Sequence, residues 1–199
     1  MNFLAHLLLA DDTPASRVGN LLPDLHRGRL PADLPPEVLM GVRRHRRVDA
    51  FTDRHRAFAQ SVDRLRPRHG RYAGIIADVI YDHALSINWS MHHRESLPRF
   101  IHSCYQDLLA YEGPLPDEVV RVHRMMATQD WLGEYATLAG IERILIRMAV
   151  RLRRRFNRDL DLATAVVDLE EHTDAFAAEF EWVFADLLQH LELEPRVSP

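Results

Sequence analysis

Apolar residues recur at helical spacing along almost the whole of this chain, and no convincing run of alternating residues competes with them. That restricts the fold to packed helices. The strongest pattern runs from Arg71 to His92, where Ile75, Ile76, Val79, Ile80, Ala84 and Ile87 make one face. Further helices are expected over Phe3 to Ala10, over Val18 to Arg27 with Gly28 as its stop, and from Glu37 to about Arg56 after a loop marked by Pro31, Pro35 and Pro36. Others should follow near Pro98 to Tyr111, Pro116 to Ala127, Ile141 to Phe156 and Leu169 to Leu191. With 199 residues, 47% of them hydrophobic, the chain has enough apolar side chains for a full core, and no repeat or composition break divides it. A single-domain, all-α helical bundle over residues 1–199 is the expected architecture.

Histidine and aspartate carry the chemistry of these helices. His6, Asp24, His45, Asp49, Asp53, His55, Asp78, Asp82 and His83 all fall in the first half of the chain. Imidazole and carboxylate together suit divalent manganese, iron or zinc. Asp78 and Asp82 are four residues apart on the strongest helix, which puts their carboxylates about 40° apart around its axis, able to share one ion. They adjoin the apolar face, where a carboxylate needs a cation or hydrogen-bond donors to offset desolvation. His83, turned about 100° further, serves the same site only if the helix is deeply packed.

His45, Asp49 and Asp53 repeat the four-residue spacing on an earlier helix amid Arg43, Arg44, Arg46 and Arg47. For Asp53 a salt-bridged face is the better account, and for His55 a helix end. His6 among leucines reads as a core histidine unless the others make it a ligand. Asp24 follows Asn20 and Pro23, which suggest a bent or capped helix start where an acid is commonly structural.

Several functions are excluded. All 25 cationic residues are arginine, so no lysine nucleophile or Schiff base exists. Cys104 is the only cysteine, which rules out an internal disulfide and multi-cysteine metal sites and fits a reducing cytoplasm. The net charge of -4 is not that of a polyanion-binding chain, so no nucleic-acid partner is expected. No apolar run reaches the roughly 18 residues that span a bilayer, so no membrane partner is expected either, and the N-terminal segment lacks the flanks of a signal peptide. GxSxG, Walker A, GxGxxG and HExxH motifs are absent, which leaves metal-assisted hydrolysis as the best chemical class. A second basic group, Arg147, Arg151, Arg153, Arg154, Arg155 and Arg158, ends an amphipathic helix and suits an anionic partner or phosphate.

The segments MNFLAHLLLA, GNLLPDLHRG, GVRRHRRVDAFTDRH and RYAGIIADVIYDHALSINW, in that order, closely resemble the bacterial acyl carrier protein phosphodiesterases, and GIERILIRMAVRLRRRF is similar to their later arginine-bearing helix. The resemblance implies a divergent HD-domain-like phosphohydrolase that needs a divalent metal, usually Mn²⁺ with Mg²⁺ or Fe²⁺ as alternatives, and that removes 4'-phosphopantetheine from holo acyl carrier protein. Carried over by position, it implies His6, Asp24, Asp78, Asp82 and His83 as metal-site residues, with His45 and Asp49 next in rank. For that reaction, Asp24 or Asp78 is expected to orient or deprotonate the nucleophile and His45 or an adjacent arginine to stabilise the leaving oxygen, with Arg43, Arg44, Arg46 and Arg47, favoured because they lie beside His45, or the later group that includes Arg151 and Arg154 docking the acidic carrier protein. Two other readings stay open: an HD-type phosphohydrolase of a nucleotide or other small phosphodiester, and a non-enzymatic all-α module that binds an acidic partner or nucleic acid through its arginines.

Overall fold

A computed structural model of the chain describes residues 1–26, 28–156 and 161–193, for 154–156 the backbone alone. Among the described residues helices form and no strand does, as the periodicity requires. In chain order they are α1 (Phe3–Leu8), α2 (Pro14–Leu25), α3 (Pro36–Thr52), α4 (Arg56–His69), α5 (Ala73–Ile87), α6 (Leu97–Ala110), α7 (Asp117–Thr128), α8 (Leu138–Phe156), α9 (Ala165–Glu171) and α10 (Thr173–Leu191). None of the described helices is long and apolar enough to cross a membrane.

Several boundaries differ from the sequence expectation for local reasons. α2 starts a turn early because Thr13 caps it, its side-chain oxygen accepting the Ser16 N–H at 3.2 Å, and Pro14 fits a first helical position that needs no N–H. α4 was not expected, since its sequence is polar and carries Pro67. A narrow edge of Ala57, Phe58, Ser61 and Leu65 is nevertheless enough to bury it. His55 is the helix-end residue expected of it: its Nδ1 accepts the Ala57 N–H that opens α4. The last helical stretch is broken at His172 into α9 and α10.

α5 lies centrally, packed against α1, α4, α8 and α10, and Ile76, Val79, Ile80, Tyr81 and Leu85 are all buried on it. α2 and α3 make the closest helix pair. A Cβ on Gly41 would lie 2.7 Å from the Ser16 carbonyl oxygen and 2.8 Å from the Gly19 Cα, so the two backbones touch only because both positions are glycine. Arg17 ties the far side of α2 to α6, its buried guanidinium donating to Asp107 at 2.5 Å and to Ser103 at 2.8 Å. The pair is thereby fixed on both sides.

Candidate metal centre

The glycine contact sets the spacing of everything that follows along α2 and α3. One turn beyond Gly41, His45 is buried, and its Nδ1 donates to the Asn20 carbonyl of α2 at 2.7 Å. That bond fixes the tautomer, leaving the Nε2 lone pair available to a ligand. Nε2 lies 2.9 Å from Asp49 Oδ2 and 3.8 Å from Asp24 Oδ1. The His6 ring, on α1, stacks on the His45 ring with centroids 3.9 Å apart and planes 19° from parallel.

His6 is fully buried and its Nε2 is 3.1 Å from Asp49 Oδ1, yet the oxygen is misaligned for a hydrogen bond and neither ring nitrogen has a hydrogen-bond partner. Ligand atoms of His6, His45 and Asp49 all lie within 4.8 Å of one another. A buried unbonded imidazole, a second imidazole oriented by a carbonyl and a shared carboxylate make a donor set that fits a divalent ion.

The electrostatics agree with the geometry. Burial pushes the Asp49 carboxyl up, but the His45 and His6 imidazoles outweigh it and hold the group well below the usual carboxylate range. Burial pushes His6 down, and neighbouring His45 adds to that against the pull of Asp49. His45 is desolvated too, but Asp49 and Asp24 overcome this and raise it.

Asp24 sits in the last turn of α2 rather than near a helix start, which corrects the sequence expectation. A carboxylate at that end opposes the helix dipole, so a nearby cation stabilises it. Arg151 of α8 donates to the Asp24 backbone carbonyl at 2.8 Å, and Asp24 and Arg151 line one cavity with Asp78.

Asp78, Asp82 and His83, expected beside these ligands, are not part of the group formed by His6, His45 and Asp49. Asp82 is fully buried and accepts the backbone N–H groups of Leu4 at 2.6 Å, Asn2 at 3.2 Å and Ala5 at 3.3 Å. These amides at the start of α1 have no partner within the helix, and they engage both carboxylate oxygens. Burial pushes Asp82 up to about 7 against the pull of the Met1 ammonium and these amides. His83 Nδ1 is bonded to the Tyr135 carbonyl at 2.6 Å, and burial lowers its pKa. Asp78 Oδ1 meets the Met1 amino nitrogen at 2.5 Å, with burial raising the carboxyl to about 6 despite that ammonium. Asp82 therefore seats the helix that carries His6, and Asp78 faces the cavity beside Asp24.

Asp53 is an exposed cap of α3, outside the cluster. Of the first arginine group, Arg44 is held by Asp11 at 2.7 Å and the Leu9 carbonyl at 2.9 Å, Arg47 donates to the His190 carbonyl at 3.1 Å, and Arg43 and Arg46 are exposed. Arg147 and Arg143 both pair with Glu134. The Arg154 and Arg155 side chains and Arg158 lie outside the described residues. Sequence reasoning had no role for the Gly19–Gly41 contact or the Asn20 carbonyl; a glycine on each of two neighbouring helices was the one available signal.

A family model described as acyl carrier protein phosphodiesterase matches residues 1–187. A protein of that name from Photorhabdus laumondii is 37% identical over 185 residues, covering 92% of this chain and 91% of the relative. One from Klebsiella pneumoniae is 33% identical over 193 residues, covering 96% and 97%. One from Escherichia coli is 33% identical over 186 residues, covering 92% and 93%. No solved structure matches the chain.

Proposed function

The chain belongs to the acyl carrier protein phosphodiesterase family, and from that premise we propose that it hydrolyses the phosphodiester joining 4'-phosphopantetheine to a serine of holo acyl carrier protein. Water oxygen bonds to phosphorus, the bond from phosphorus to the serine oxygen breaks, and that oxygen leaves with a proton. Apo carrier protein and 4'-phosphopantetheine are the products. The observation that carries this reading is the buried His6 imidazole with no hydrogen-bond partner, converging with His45 on Asp49.

His6, His45 and Asp49 would hold a divalent ion, Mn²⁺ in our reading, with Asp24 beside them. When bound, the ion supplies positive charge to the phosphoryl oxygens and makes water acidic enough to attack near neutral pH. Asp24, open to the cavity, orients the attacking water and accepts its proton. Asp49 keeps its negative charge under the pull of both imidazoles and so remains a ligand across the physiological range. Arg151 brings a fixed positive charge to the same cavity, suited to a phosphoryl oxygen. The exposed Arg43 and Arg46 on α3 suit the acidic surface of a carrier protein.

The test is the intact mass of holo carrier protein incubated with the enzyme and Mn²⁺, with and without chelator. Loss of the phosphopantetheine mass only with metal available supports the proposal. An unchanged mass under every divalent metal overturns it.

A further inference from the structure

Asp24, whose Oδ1 is 3.8 Å from His45 Nε2, also lines a cavity. About 220 Å³ in volume, it is lined by Asp24 and Asp78 and has apolar walls from Phe3 of α1, Ile75 of α5, and Met148 and Leu152 of α8. An adjoining cavity of about 140 Å³ shares Asn2, Phe3, Met148 and Arg151 with it and runs on to Trp131 and Ile144. The two form one track along α1 and α8, with Asp24 and Asp78 in the first cavity, Arg151 in both, and Trp131, Tyr135, Ile144 and the Glu134-paired Arg147 in the second. Met148, half-buried, lies at the junction.

We infer that this track is the binding site for the pantetheine arm of the substrate, with the phosphodiester at Asp24 and the arm laid over Met148 toward Trp131 and Ile144. The inference rests on the proposed reaction and deepens it by assigning its substrate subsite. The occupant follows from chemistry and continuity. Whatever places a phosphodiester at Asp24 must send one substituent along the apolar track, and the arm begins with a gem-dimethyl group followed by a flexible chain with two amides. Arg151 lines both cavities, so its charge sits where the phosphate gives way to the arm. Asn2, whose Oδ1 accepts the Phe3 N–H, brings its side-chain NH2 to the same wall, a donor for the arm's carbonyls.

The experiment labels the methionine methyl groups and titrates the protein loaded with diamagnetic Mg²⁺ with 4'-phosphopantetheine under NMR. Of the six methionines, Met148 and Met1 line the track, whereas Met40, Met91 and Met125 are exposed and do not. The Met148 methyl signal is expected to shift and saturate while those of Met40, Met91 and Met125 stay in place. A Met148 signal unmoved at saturating ligand, or moved by AMP and not by phosphopantetheine, overturns the inference. A kinetic arm compares Met148→Trp, which fills the junction, with Ile146→Trp on the exposed face of α8. Met148→Trp is expected to raise KM for holo carrier protein at least tenfold, and Ile146→Trp to leave it unchanged; equal KM values in the two variants overturn the assignment. Should holo carrier protein not be cleaved at all, the reaction proposal falls and the titration still decides the track.

Discussion

Gly41→Ala is a small change with a calculable reach. A Cβ at position 41 would sit 2.7 Å from the Ser16 carbonyl oxygen, whereas ordinary contact begins at 3.4 Å, so α2 and α3 must part by about 0.7 Å. The Asn20 carbonyl moves with α2 and the His45 ring with α3, which stretches their 2.7 Å hydrogen bond to about 3.4 Å, close to its breaking limit. Overpacking of this kind costs about 1–3 kcal/mol, and the alanine returns roughly 1 kcal/mol of helix propensity, so net stability falls by only about 0–2 kcal/mol. The larger effect is on the metal. Loss of the bond that orients a ligating imidazole weakens binding by about 10–100-fold. Urea unfolding and Mn²⁺ calorimetry measure the two quantities. Gly74→Ala in α5 is the control, because a Cβ there meets nothing within 4 Å and should stabilise the chain. If Gly41→Ala stabilises as Gly74→Ala does and binds Mn²⁺ with unchanged affinity, the argument from helix contact to metal site is wrong.

Asp82→Asn replaces one of two acceptor oxygens with a donor that faces the α1 amides, so it should cost about 1–3 kcal/mol and speed amide exchange at residues 2–5; unchanged exchange there would contradict the seating role. His123 is buried, its Nε2 has no partner, and burial lowers its pKa to about 4 against the usual 6.5. The folded state thus prefers the neutral ring, and its stabilising contribution is complete above pH 6.5 and lost as pH falls through about 4. A His123→Leu chain should lack that acid-side loss, worth up to about 3 kcal/mol, in stability curves measured from pH 7 to pH 4. Replacing both Arg43 and Arg46 by glutamate should raise KM for holo carrier protein and flatten its dependence on salt; kinetics unchanged in both respects would remove α3 as the docking face.

Residue patterns close in sequence were legible, and contacts between distant residues were not. The apolar period located α5, α6 and α7 to within a few residues because each buries a broad stripe. α4 escaped notice because only a thin edge of it is buried and Pro67 reads as a breaker. The His45–Asp49 spacing is local and survives in the fold, where both residues meet in one cluster. Asp78 and Asp82 show the same spacing, but the use of Asp82 depends on α1 arriving with unpaired amides, a contact across 77 to 80 residues that no local pattern encodes. His6 is the converse case: its sequence context of leucines said core, the fold confirms complete burial, and only the approach of His45 and Asp49 gives that burial a chemical meaning.

The seating of α1 by Asp82 also has a consequence for how the molecule is made. The segment FLAHLL leaves the ribosome early, but the carboxylate that receives its amides is synthesised some 77 to 80 residues later. At about 5–20 residues per second, roughly 4 to 16 s pass during which this apolar segment has α2 beside it but not the carboxylate that receives its amides. A helix of 6 residues is too short to persist alone, so it waits as unfolded, sticky chain. His6 is therefore positioned only after α5 is made, and mutations that slow the docking of α5 should show in the cell as chaperone dependence and aggregation before they show as lost activity per folded molecule.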